Sequence, residues 1–450
     1  MKRQEFKGEI TAFLSLIFVL LLSLAGALIQ SASIHITKSM KRADTELALE
    51  SVFAEYDQDM FEEYDLFVKI GTDETTISRR LWFYGAKNME HKIQKIQLLS
   101  DGNGQVLYGQ IILAMGGKAT SDSLSGETNS GADKSENMGT DFGANMEMDL
   151  DGTQEQVSGE LQTILQQEGQ TLSVEDNPIE TVNQLKKSSL LSLIHPNPES
   201  ISNRAVQMED LASQRSLQKG TGYDNESLES GVTQKALLAA YIVEHFPNHA
   251  KQEEGEALLY QQEYLLGGCS SDMENLEAVA KKILAIRMAA NYTYLLTDET
   301  RQAEAEAMAV GLCSLMTVPG ASVVVKQAIL LAWAYGESVL DMRSLFDGKK
   351  VPLVKADETW QSQLTNLVKL GTTEEVSEQK EFSEGLDYSD YIKTLLFAEN
   401  EEALCMRTLD LLELNLGICV DECVTALEIK STCEMQRGIK DTFVTDFEYK

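Results

Sequence analysis

Residues Ile10 to Ile29 read ITAFLSLIFVLLLSLAGALI, twenty residues without a charge. At about 1.5 Å per residue, a helix of this length covers the roughly 30 Å hydrocarbon core of a bilayer. A helix also satisfies its own backbone hydrogen bonds in lipid. Secretory signal peptides carry a shorter apolar core, about 7–15 residues. Ala25, Gly26 and Ala27 imitate a small-residue cleavage site, but they lie inside the run. The reading is one retained transmembrane helix over 10–30, preceded by a short cytoplasmic leader over 1–9. Lys2, Arg3 and Lys7 precede the span and Lys38, Lys41 and Arg42 follow it, so positive charge does not set the orientation. The leader is too short to be a domain, which places it inside and the bulk of the chain outside.

Beyond the span, no proline occurs before Pro178, so the helix is free to continue as a stem. Leu49, Phe53, Tyr56, Met60, Tyr64 and Phe67 recur with a period of 3.6, which predicts one amphipathic helix through this stretch. Asp101-Gly102-Asn103-Gly104 is a turn signal, and Gln105 to Leu113 reads as the strand after it. The segment 31–115 is therefore a stem helix and a small α+β section. Gly116 to Gly159 is rich in Gly, Ser, Thr, Asn and Asp and reads as a mobile loop. Short helices and a second polar linker, Lys219 to Gly231, complete a segment 116–231.

From Val232 the pattern is helical. Ser271-Asp272-Met273-Glu274 fits a capping box, with Leu276, Val279, Ala280, Ile283, Ile286 and Ala290 as the buried face behind it. A helix runs from Asp298 to Met316. Ser322 to Leu340 is apolar on nearly every side, but Lys326, Gln327, Gly336 and Glu337 count against a second membrane span, so it reads as a buried central helix. Helices follow at Asp390–Phe397 and Glu401–Leu416, and Thr442 to Tyr449 alternates as a closing strand. The expected architecture is α+β and predominantly α, with 232–450 as one large helical C-terminal domain.

The 450 residues hold 71 acidic and 38 basic side chains, a net charge of −33. That argues against nucleic-acid binding, which needs a basic surface. Hydrophobic residues make up 43% of the chain, enough for a folded core. Of six cysteines, Cys405, Cys419, Cys423 and Cys433 fall near the C-terminus. Outside the cell they are candidates for one or two disulfides; ordinary half-buried thiols are the other reading. A zinc site lacks the further ligands at suitable spacing. His245 and His249 have the spacing of a helical metal pair, but Pro247 between them disfavours that helix, leaving a solvated helix end. No GxSxG, HExxH or phosphate-binding loop occurs. The expectation is a protein without catalytic residues, cofactor or metal.

Lys7-Gly8-Glu9-Ile10-Thr11-Ala12-Phe13-Leu14-Ser15-Leu16 resembles the start of pilin-like proteins, in which a basic leader and a glycine precede an apolar anchoring helix. More of the chain resembles a family of uncharacterised membrane-anchored proteins of Gram-positive bacteria that occurs with tight-adherence (Tad) pilus and type II secretion components. The blocks that carry the likeness are Ser51-Val52-Phe53-Ala54-Glu55-Tyr56-Asp57 with Tyr64-Asp65-Leu66-Phe67, then Tyr264-Leu265-Leu266-Gly267-Gly268, Ile329-Leu330-Leu331-Ala332-Trp333-Ala334-Tyr335 and Gly385-Leu386-Asp387-Tyr388-Ser389-Asp390-Tyr391. The resemblance implies a non-enzymatic pseudopilin-like or accessory subunit, single-pass in the cell membrane, with pilus or secretion-apparatus proteins as partners. It also implies leader-peptidase cleavage after Gly8, with Glu9 as the first mature residue. The fifth mature residue would then be Phe13, where pilins commonly carry a glutamate. The alternative class is a membrane-tethered cell-envelope enzyme or ligand-binding receptor.

Overall fold

The computed structural model describes residues 6–125, 150–167, 177–195, 197–223, 231–253, 257–315, 319–371, 380–435 and 438–449. The chain is α+β and mostly helical, as its sequence predicts. It divides into two compact units: residues 1–114 with 216–228 and 416–450, and residues 115–215 with 229–415.

The first unit begins with α1, Phe6–Phe53. Every residue from Thr11 to Ser33 is exposed, so this half of the helix is not buried against the other described residues. From Ile34 the same helix turns one face inward through Thr37, Lys38, Lys41, Thr45, Ala48 and Val52, at steps of three and four residues. α1 then stops. The expected single helix through Phe67 is broken at 54–57, because the Asp57 side chain accepts from the Met60 amide and caps a new helix, α2 (Gln58–Tyr64). β1 (Lys69–Ile70), α3 (Glu74–Phe83), β2 (Met89–Leu98) and α4 (Asp101–Ser125) follow.

The expected strand over Gln105 to Leu113 is helix. Gly102, Asn103 and Gly104 do form a turn, all three left-handed at φ 65°, 55° and 83°, but it feeds α4 rather than a hairpin. Leu107, Tyr108 and Ile111, spaced for one helical face, are buried there.

The sheet is closed by the far end of the chain, β3 (Cys423–Glu434) and β4 (Lys440–Glu448). β3 is its central strand. β2 pairs antiparallel along one edge, from Met89 opposite Cys433 to Leu98 opposite Val424. β4 takes the other edge, from Ala426 opposite Glu448 to Glu434 opposite Lys440, with β1 beyond it opposite Cys423 and Val424. The expected closing strand is therefore present as β4. The expected undivided domain over 232–450 is not: with both edges of β3 bonded inside the first unit, residues 416–450 belong there. Ala48, Leu49, Val52 and Phe53 of α1, Ile77 and Leu81 of α3, and Leu98, Val424, Leu427 and Ile429 of the sheet form one apolar core. Lys38 pairs with Asp441 at 2.8 Å, and the Arg42 guanidinium lies over the Phe443 ring, so the stem runs along β4.

Part of the expected loops is ordered. Residues 116–125 end α4 and 150–159 lie in α5 (Leu150–Gln167), while 126–149 and 224–230 lie outside the described residues. At the expected second linker, Thr221 and Ile96 exchange both backbone hydrogen bonds, at 2.9 and 2.8 Å. Gly220 donates its amide to Asp101 Oδ1, whose other oxygen accepts from Leu98. A Cβ on Gly220 would overlap Asp101 Oδ2 and the Ile96 carbonyl oxygen. Gly220→Ala is expected to cost about 1–3 kcal/mol, the usual range for overpacking, read as a lower urea midpoint; an unchanged midpoint would show that this loop bears no load.

The second unit adds α6 (Pro178–Leu185), α7 (Leu190–Ile194), α8 (Val232–His245), α9 (Gln261–Gly267), α10 (Asp272–Thr297), α11 (Glu299–Leu315), α12 (Ser322–Phe346), α13 (Tyr388–Ala398) and α14 (Glu401–Leu416). Ser271 caps α10 through the Glu274 amide, as its sequence predicts. α12 is long and apolar enough to cross a membrane, as α1 is, but most of it is buried inside the protein. α5, α6, α7, α10 and α11 surround it. Gly336 lies against Leu367, so the residue that weakens α12 as a membrane helix makes room for a neighbour in the core.

Candidate functional site

The second unit contains several buried polar clusters, among them a charge cluster on α12 and a half-buried histidine–carboxylate centre. α12 supplies Glu337 and Asp341, one turn apart on a face where no solvent reaches either. α10 supplies Arg287, and the segment after α12 supplies Lys355. Lys355 Nζ lies 2.7 Å from Glu337 Oε1 and 2.7 Å from Asp341 Oδ1. Arg287 donates through Nε and Nη2 to Asp341 Oδ2 at 3.1 and 2.8 Å, and through Nη1 to the carbonyls of Pro352 and Leu353. Glu337 also accepts the amides of Gln361 and Ser362. Burial alone would raise the Asp341 pKa; Arg287 and Lys355 outweigh it and hold the carboxyl below its ordinary value. Two anions face two cations, each held by several hydrogen bonds. Such a balanced cluster specifies packing and offers no spare base.

The second centre joins segments far apart in the chain. His195 follows α7, His249 follows α8, Glu263 lies on α9 and Tyr388 opens α13. The Nε2 atoms of His195 and His249 are 3.1 Å apart. The Asn197 amide donates to His195 Nδ1 at 3.0 Å, so a neutral His195 carries its proton on Nε2 and donates to His249. His249 then keeps its own proton on Nδ1. Glu263 Oε1 accepts the His249 amide at 2.9 Å and the Tyr388 hydroxyl at 2.7 Å, and Oε2 is buried with no hydrogen-bond partner among the described residues. The rings of Tyr260, Phe346 and Tyr388 enclose His249.

Burial, and then the neighbouring His195, pushes His249 down to about 4. Burial also lowers His195. Burial pushes Glu263 up to about 7, partly offset by the Tyr388 hydroxyl and the His249 amide. The centre therefore holds groups that titrate near neutrality and in mild acid, the property of a proton-responsive site. It does not suit a metal, because the His195 nitrogen facing His249 carries the proton.

The residues that the sequence marks fall elsewhere. Gly8 and Glu9 lie in the first turns of α1. None of the six cysteines is joined to another in a disulfide. Cys423 and Cys433 sit at opposite ends of β3, ten residues and about 33 Å apart by strand geometry, too far to bond. Cys419 and Cys423 do not share a helical face: they flank a 3₁₀ turn, Val420–Glu422, and the Cys423 thiol donates to the Cys419 carbonyl at 3.5 Å. Cys405 is buried in α14, where burial pushes its thiol up to about 12. His245 and His249 are not one helical pair. α8 ends at His245, whose ring packs on Tyr241 with centroids 4.4 Å apart. His249 lies past Pro247 and meets His195 instead, so in place of a solvated helix end it forms half of a partly buried pair. Nothing local in the sequence marks His195 or Glu263, since their partners lie 54 and 125 residues away.

Fold and site define an α+β protein, mostly helical, with one long apolar N-terminal helix and polar clusters within its second unit. The chain belongs to a family of unknown function, DUF5702, whose model matches residues 168–435. That stretch is more than half of the chain and contains both centres; α1 lies outside it. No curated protein and no solved structure matches the chain.

Proposed function

We propose that this chain is a single-pass, membrane-anchored accessory subunit of a Tad-type pilus or secretion apparatus, pseudopilin-like at its N-terminus and acting by protein contacts. The bulk of it lies on the extracytoplasmic side. The observation that carries the reading is the division of α1. Its first half is uncharged from Ile10 to Ile29 and exposed on every side from Thr11, while its second half, in the same unbroken helix, forms part of the core of a sheet-containing unit. That is the layout of an anchor that carries a folded domain rigidly. The closed charge balance around Asp341 further supports a role in contact rather than catalysis.

Alkaline carbonate extraction of membranes tests the anchor: the protein is expected in the pellet, and release into the supernatant would overturn it. N-terminal sequencing of the chain recovered from cells that contain a prepilin peptidase tests the pilin-like part. The expected first residue is Glu9, and an intact Met1 would overturn that part alone. Cross-linking in the same cells tests the assignment to the apparatus; adducts that contain none of its components would sink it.

A further inference from the structure

α1 carries a second apolar row besides the one that enters the core. Ile29, Ile36, Met40, Ala43 and Leu47 follow one another at steps of seven, four, three and four residues, and all are exposed. Ile36, Met40 and Leu47 each keep at least 60% of their surface open. On a helix that turns about 100° per residue, this row lies across the axis from Thr45, Ala48 and Val52, which are buried. The outward side of a helix on a folded unit is normally polar. Lipid does not account for the exception. Met40 and Leu47 stand about 16 and 27 Å past Ile29, and the headgroup layer is only about 5–7 Å deep.

Steps that average about 3.5 residues are the period of a two-stranded coiled coil, with Ile36 and Ala43 at d positions and Met40 and Leu47 at a positions. Carried back through the uncharged run, the same register takes in Ser33, Gly26, Leu22, Val19, Ser15 and Ala12. Gly26 is the one glycine of that run. A Cβ there would meet nothing among the described residues, so its small size makes room for none of them. Inside a bilayer small residues let two helices approach closely. A single seam thus passes from the uncharged half of α1 into the stem without a change of register.

We infer that α1 pairs along this seam with α1 of a second copy, parallel and in register. The inference rests on the anchor reading and goes beyond it. An occupant that fills the whole seam is a helix that crosses the bilayer and continues unbroken for about 25 Å outside it. A second copy brings such a helix, and in a shared bilayer its apolar run sets it in the same direction at the same depth. Ile36, Met40, Ala43 and Leu47 then each meet their own counterpart. Charge permits the approach, because the net −33 of the chain is carried elsewhere. From Gln30 to Leu47, the basic Lys38, Lys41 and Arg42 outnumber the acidic Asp44 and Glu46. The flanking positions that meet across a parallel pair bring Ser39 to Asp44 and Glu46 to Ser51, so no like charges face each other there. The seam stops before Glu50, the next d position, where two carboxylates would face each other, and α1 itself ends at Phe53.

The test uses membranes that hold the full-length chain, with the exposed Cys419 changed to serine. In this background Ile36→Cys, Met40→Cys and Leu47→Cys are each treated with a short bis-maleimide linker. His35→Cys, exposed but turned off the seam, is the control. The three seam variants are expected to give a covalent dimer of the chain at least about tenfold more efficiently than His35→Cys. Met40→Lys with Leu47→Lys, both at exposed positions, is expected to weaken the dimer of the detergent-solubilised chain at least about tenfold in sedimentation equilibrium. Equal cross-linking at Met40 and His35 overturns the pairing. So does a stronger cross-link between Met40→Cys in one copy and Leu47→Cys in another than between two Met40→Cys copies, the mark of a staggered array. Adducts with a different protein alone would assign the seam to that protein and overturn the pairing as well. Carbonate extraction of the same membranes separates the two readings. Chain retained in the pellet without a dimer overturns the pairing alone; chain released into the supernatant overturns the anchor and the pairing with it.

Discussion

Replacing Glu263 by glutamine is expected to make the second unit about 3 kcal/mol less resistant to acid between pH 6.5 and 4, relative to the wild type. Two opposed terms explain the size. The His249 pKa falls from 6.5 to about 4 on folding. As pH drops below 6.5 the unfolded chain takes up a proton that the folded one refuses until about pH 4, so stability present above 6.5 is lost across that window. Glu263 works in the other direction, its pKa rising from 4.5 to about 7. The folded chain keeps this proton from about pH 7 downward and the unfolded chain only from 4.5. The Glu263 contribution is therefore complete below 4.5 and is lost as pH rises through 7. In the wild type the two slopes offset each other between pH 4.5 and 6.5. Glu263→Gln leaves the histidine slope alone. His249→Phe, which suits a site walled by Tyr260 and Phe346, leaves the glutamate slope alone and is expected to gain stability relative to the wild type on acidification. Urea unfolding at stepped pH, followed by tryptophan fluorescence, checks both. Parallel profiles for all three proteins would show that the centre is not the coupled pair described here.

Asp341→Ala is expected to cost about 3–5 kcal/mol, the usual penalty for removing one partner of a buried ion pair. The carboxylate satisfies Arg287, Lys355 and the Asn291 amide at once. Its loss leaves two cations facing only Glu337 where no solvent enters. The double variant Asp341→Leu with Lys355→Met removes one charge of each sign and restores neutrality. It is expected to cost less than Asp341→Ala alone, although it changes more atoms. Thermal unfolding of the wild type, Asp341→Ala, the single variants Asp341→Leu and Lys355→Met, and the double variant decides the point. A double variant whose cost equals the sum of its two single changes would show that these charges act independently.

Much of this architecture follows from local signals. Ser271 caps its helix, Glu401 to Leu416 is helical to the residue, and α12 is buried despite its apolar length. The failures come where a local pattern is broken or counterfeited. In β2, His91 and Ile93 share one parity and Ile96 and Leu98 the other, because a bulge between Ile93 and Lys95 shifts the register; the alternation that marks a strand cancels over its length. Tyr56 and Phe67 extend the 3.6-residue pattern of Leu49 and Phe53 by coincidence, since Asp57 has already begun another helix. β3 carries its own strand signal in Leu427-Glu428-Ile429-Lys430, where buried and more exposed residues alternate, while Cys423 to Leu427 are buried throughout and show no alternation. His195, His249 and Glu263 meet only through tertiary folding, and no spacing along the chain encodes such a meeting.

The unbroken course of α1 also fixes a bearing. An α-helix turns about 100° and rises about 1.5 Å with each residue. One residue inserted near Ser33, where the helix is exposed, would swing the sheet about a quarter of a circle around the helix axis. Seven inserted residues would carry the sheet about 10 Å further along the axis yet return it to within about 20° of its original direction. Chain length before the sheet therefore sets not only how far the sheet stands from the apolar half of α1 but which way it faces.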